Sequence, residues 1–152
     1  MLLFLAFLIG VIAGLRTMTA PAAVAWGAAL SWFDVSQTPL AFMGYRWTPW
    51  IFTLLALVEL VTDQLPSTPS RKVPMQFGAR LIMGALSGAT IGAAGGSLLG
   101  GLIAGILGAA AGTLRGAAAR AKLASVFHRD SPAAILEDAV AIVGAILIVA
   151  SV

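Results

Sequence analysis

The chain contains no cysteine and a single histidine, and only 10% of its 152 residues are charged. Without cysteine there are no disulfides, thiolate metal sites or cysteine nucleophiles. His128 alone cannot build a His-rich metal site, so neither a metal nor a cofactor is expected. Long polar stretches are also missing. The longest is the loop from Gln64 to Gln76, too short for a soluble domain, and residues 1–152 read as one transmembrane domain.

What is present is apolar. Hydrophobic residues make up 60% of the chain, against about 45–50% in ordinary soluble domains. Charge-free stretches cover 1–15, 17–33, 47–58, 81–114 and 139–152, close to the length of about 20 apolar residues that a membrane span needs. The apolar N-terminus lacks the positive segment that precedes the core of a signal peptide, so it reads as a retained first span.

That first span meets a break at Arg16-Thr17-Met18-Thr19-Ala20-Pro21, where Pro21 disfavours helix at the residue before it. As one straight helix the two pieces would reach about 48 Å, so the element must kink, tilt strongly or turn back. Pro49 opens a second span that runs to about Leu65 and stops in a segment with three prolines, Pro66, Pro69 and Pro74. Residues 81–114 would form a helix of about 51 Å, and two shorter spans joined near Gly95-Gly96-Ser97 fit better. A final span runs from about Pro132 to Val152.

The expected fold is therefore all-α: a polytopic transmembrane helical bundle of about five spans, with a broken first helix and glycine-rich packing. A four-span version, with 81–114 as one tilted element, ranks second. Nine Lys/Arg against six Asp/Glu leave a net charge of +3, which in such a chain records topology and not affinity for nucleic acid. Arg71, Lys72 and Arg80 form one basic cluster, and Arg120, Lys122 and Arg129 form a second in a later loop. The positive-inside rule places both in the cytoplasm. Five spans then put the N-terminus inside and the C-terminus outside a bacterial cytoplasmic membrane.

Glycines recur every four residues at Gly84, Gly88, Gly92, Gly96 and Gly100, and again at Gly108, Gly112 and Gly116. This glycine-zipper spacing lets helix backbones approach closely, within one chain or between subunits of a homo-oligomer.

An arginine inside a membrane is costly and needs a partner or a water-filled cavity. Arg16 is such a residue, beside Thr17 and Thr19 at a helix break, and broken helices form substrate sites in many transporters. Glu59 and Asp63 lie one turn apart on one face of the second span, both able to reach an arginine. Glu137 and Asp138 open the last span, where a helix N-terminus favours negative charge. Arg115 closes Ala111-Gly112-Thr113-Leu114-Arg115, an echo of Ile12-Ala13-Gly14-Leu15-Arg16 that suggests an inverted repeat whose two arginine helices run in opposite directions. Candidate solute-binding residues are thus Arg16, Thr17, Thr19, Glu59, Arg115 and Glu137, with Asp63, Arg80 and Asp138 as coupling or ion-pair candidates. No nucleophile-plus-base pair or phosphate-binding glycine loop is visible, so an enzyme is unsupported.

The elements Gly14-Leu15-Arg16-Thr17-Met18-Thr19-Ala20-Pro21, Glu59, Leu65-Pro66-Ser67-Thr68-Pro69-Ser70-Arg71 with Pro74, Ala79-Arg80, Gly84-Ala85, Gly88-Ala89, Leu136-Glu137-Asp138 and Ala141-Ile142 resemble a family of short bacterial integral-membrane proteins, domain-of-unknown-function family 4126. The resemblance spans nearly the whole chain and implies a membrane protein without implying a reaction. The residues themselves suggest a small transporter or channel for an anionic or polar solute. Two other readings are a non-transporting scaffold or partner subunit with structural ion pairs, and a protein that handles lipid headgroups.

Overall fold

The structure, a computed structural model, describes residues 1–65 and 73–152. Pro66, Pro69, Arg71 and Lys72 lie outside the described residues. Among the described residues six α-helices follow one another: α1 (Leu2–Leu15), α2 (Thr19–Ala29), α3 (Thr48–Thr62), α4 (Pro74–Ala94), α5 (Leu98–Phe127) and α6 (Asp130–Ala150). A short 3-10 turn over Ala41–Gly44 interrupts the linker before α3. There is no strand among the described residues. Within the described residues three segments, Pro74–Ala94, Leu98–Phe127 and Ser131–Ala150, are long and apolar enough to cross a membrane, and α1 and α3 are shorter apolar helices.

α1 is the central helix and packs against α4, α5, α6 and α2. Ala6, Ile9 and Ala13 are fully enclosed, consistent with a segment that is apolar on every side and so belongs in a core. Glycine sets the distances around it. In α4 and α5, Gly84 faces Gly105, Gly88 faces Gly101, and Gly92 faces Ser97, so the two helices form an antiparallel hairpin. A Cβ added to Gly88 would lie only 2.7 Å from the Gly105 Cα. The hairpin turns at Gly95-Gly96-Ser97, where Gly96 has φ +76°, a value glycine adopts without strain. Residues 81–114 therefore form parts of two helices, and the single-element alternative fails.

The direction of each helix follows from its contacts. Gly10 meets Gly105 and Gly14 meets Ala109 and Thr113, so α1 and α5 run parallel. Asp138 reaches Arg16 and Gly144 faces Ile12, so α6 runs antiparallel to α1. Gly27 packs on Val149 while the start of α2 lies level with Asp138, so α2 runs with α6. The chain thus turns back on itself at Arg16–Met18, the third of the options open to a break of this kind.

Two expectations change as a result. The arginine helices α1 and α5 are parallel, not inverted, because the α1–α2 turn adds one reversal. For the same reason residues 1 and 152 lie at one end of the bundle and not at opposite ends. A third change concerns the second basic cluster. Arg120 and Lys122 are in α5, which stays helical to Phe127, and only His128 and Arg129 separate it from α6. His128 takes the left-handed conformation there, with φ 54°.

The two ends of the bundle differ in chemistry. Trp26, Trp32, Tyr45, Trp47 and Trp50 cluster around the 30–47 linker, with Trp26 and Trp50 edge to face at 5.0 Å and Arg46 over the Trp47 ring at 5.2 Å. At the opposite end stand Arg115, Arg120, Lys122 and Arg129. Between these ends the outward faces of the helices carry Ile51, Leu54, Leu107, Val143 and Leu147, all well exposed.

Candidate functional site

A helix that stops inside an apolar bundle leaves carbonyls at its C-terminus and N–H groups at the start of the next helix without partners. Here Arg80 and Glu59 answer those needs, and Arg16 between them pairs with Asp63 and Asp138. Arg80 of α4 donates from Nη1 to the carbonyls of Gly14 and Leu15 at 2.8 and 2.9 Å, placing a cation at the negative end of α1. The Thr113 hydroxyl also lies within 3.3 Å of the Gly14 carbonyl.

On the other side of the break, α2 has no side-chain cap of its own. Glu59 of α3 supplies one. Its Oε1 accepts the Thr17 N–H at 2.7 Å and its Oε2 accepts the Met18 N–H at 2.8 Å. A carboxylate bound by consecutive backbone amides at a helix N-terminus is the usual arrangement for an anion there, with the helix dipole in its favour.

Arg16 sits between these two caps and is fully buried. Its Nη1 donates to Asp63 and its Nη2 to Asp138, joining the end of α3 to α6 across the break. Asp63 caps the C-terminus of α3, where a negative charge is unfavourable unless a cation opposes it. Arg16 Nε is buried without a hydrogen-bond acceptor among the described residues. Among the described residues three carboxylates and two guanidiniums therefore surround the break.

Not all of the sequence candidates join this cluster. Thr17 does, through its backbone. Thr19 is buried in the first turn of α2 but lines an apolar space with Ala22, Thr53, Ile142 and Ala145. Glu137, next to Asp138 in α6, pairs instead with Arg120 of α5 at 3.3 Å. Arg115 is exposed on α5 and belongs to neither group. The capping role of Arg80 was hidden in the sequence, although the requirement for a cation near the last carbonyls of α1 was a usable signal.

Beside the break lies a groove of about 390 Å³, lined by Thr17, Met18, Leu55, Val58, Glu59, Thr62, Asp63, Gln76 and Ala79. It is open at one side, and its polar groups are hydroxyl, amide and two carboxylates. Among the described residues no group of three or more His, Cys, Asp and Glu side chains could hold a metal ion. No family model, curated protein or solved structure matches the chain.

Proposed function

We propose that this chain is a small transporter or channel of the bacterial cytoplasmic membrane and that its solute binds in the groove where the α1–α2 break meets α3. The observation that carries the reading is the pairing of Glu59 and Asp63 along one wall of that groove, with Thr17, Thr62 and Gln76 beside them. Intramembrane acids of this kind mark ion and proton pathways. The terminal nitrogens of Arg16 are both taken by carboxylates, which leaves an anion no free guanidinium there. The solute class is accordingly a small cation, a proton or a neutral polar molecule, in place of the anion that Arg16 alone suggests.

In this reading α4, α5 and α6 cross the bilayer in alternating directions, and the shorter α1, α2 and α3 enter it beside them. The cationic end faces the cytoplasm by the positive-inside rule, and the tryptophan-rich end meets the opposite interface, where aromatic side chains concentrate. Both chain ends then lie outside the cytoplasm.

The test is flux into proteoliposomes for a panel of protons, alkali cations and small polar solutes, comparing wild type with Glu59→Gln. Saturable uptake that falls at least tenfold in the folded variant supports transport through this groove. Uptake at the empty-liposome rate for every solute, with the protein folded and inserted, rejects it.

One observation favours a second reading. Both sides of the break are capped within the chain and Arg16 is enclosed, as expected of a scaffold whose ion pairs hold the helices in register. That reading survives if no solute moves and loss of Arg16 only destabilises the bundle.

A further inference from the structure

A second groove, on the far side of α1, has a different chemistry. It occupies about 450 Å³ between α1 and α5 and is lined by Phe7, Val11, Leu15, Ala111, Gly112, Arg115, Gly116 and Ala119. Its floor is shallow because Gly112 lets the α5 backbone pack directly on the backbone of Val11. Among the described residues Arg115 is its only charged lining residue. Lys122 lies seven residues further along α5, two helical turns and about 10 Å away on the same face. Both are exposed, and neither has an acidic partner among the described residues, whereas Arg16 and Arg120 are paired. These cations also begin where the charge-free part of α5 ends, at Leu114.

We infer that this groove holds one anionic phospholipid, its phosphate between Arg115 and Lys122 and one acyl chain along Phe7, Val11, Ala111 and Gly112. The inference goes beyond the proposed transport site and rests only on the chain lying in a bilayer. Cations just cytoplasmic of an apolar stretch attract anionic headgroups, and the long Arg and Lys side chains can lie along apolar surface while their charges reach the phosphate. A trough that is apolar on the membrane side and cationic at the boundary matches both parts of such a lipid. A purely apolar partner helix would leave the two charges unanswered. An acidic protein segment would not need the trough.

The test uses the full chain in a nonionic detergent, with phosphatidylglycerol or phosphatidylcholine of identical chains added and the retained lipid counted by native mass spectrometry. The wild type is expected to keep one phosphatidylglycerol and to discriminate against phosphatidylcholine. Arg115→Gln with Lys122→Gln should weaken retention about 30-fold, from the loss of two cations near the anionic headgroup. Both side chains are exposed and outside the Arg16 cluster, so the double variant should fold, and Arg46→Gln at the other end of the bundle should bind as wild type does. Ala111→Trp, which fills the trough and keeps both cations, should also lose the lipid. Equal retention of the two lipids, or unchanged phosphatidylglycerol binding in the double variant, would overturn the inference. So would displacement by inorganic phosphate at lipid-like concentrations, which would indicate a bare anion site. None of these outcomes depends on whether the protein transports a solute.

Discussion

Arg16 is the residue on which the break depends. Its two carboxylate partners come from 47 and 122 residues away, so the sequence marks it as an arginine needing a partner without naming one. Charge in an apolar context singles out Arg16, Glu59, Asp63 and Asp138 because each is costly alone. Who pairs with whom depends on helix directions that no local pattern encodes, and for the same reason Arg80 reads as a loop cation when it is buried in α4. Arg16→Gln should leave two carboxylates without their cation and lower stability by about 3–5 kcal/mol, as when one partner of a buried ion pair is removed. Adding Asp63→Asn and Asp138→Asn should recover part of that loss, because the stranded charges are then gone. Steric-trapping or denaturant titrations of the single and triple variants check this, and additive losses would contradict the pairing.

At the scale of helices, the contrast between two glycines isolates packing from helix propensity. Gly105 sits where α1, α4 and α5 converge, against the backbones of Gly84, Gly88 and Gly10. Gly105→Ala should push the helices apart and destabilise by about 1–3 kcal/mol, the usual range for overpacking. Gly78, in α4, has nothing within 4 Å of an added Cβ. Gly78→Ala should be neutral or stabilising by up to about 1 kcal/mol, the gain from replacing glycine in a helix. Equal effects at the two sites would show that the glycine contacts do not set the helix spacing. The four-residue glycine period was legible in the sequence, and so was the turn at Gly95-Gly96-Ser97. That the contacts form within the chain was not, since the same spacing serves either kind of interface. Glu59 gives a second test at this scale. Glu59→Gln keeps the side-chain shape but weakens the charge-assisted bonds to Thr17 and Met18, so hydrogen exchange at the start of α2 should accelerate while α5 is unchanged.

For the whole molecule, composition reveals an all-helical apolar chain, but the number of reversals depends on a single junction. Three residues, Arg16 to Met18, separate α1 from α2, and nothing in their side chains distinguishes a kinked crossing from a turn back. Tertiary contacts decide it: α2 follows α6 while α1 opposes it. The absence of native cysteine makes this directly measurable. An epitope placed before Met1 and single cysteines at Ser36→Cys, Ser151→Cys and Ser125→Cys can be probed with membrane-impermeant reagents in intact and opened cells. The account predicts that the epitope, Ser36→Cys and Ser151→Cys respond from the periplasmic side and Ser125→Cys from the cytoplasmic side. An epitope reached only from the cytoplasm, with Ser151→Cys reached from outside, would mean that α1 and α2 do not turn back at Arg16, and the site built on that turn would fall with it.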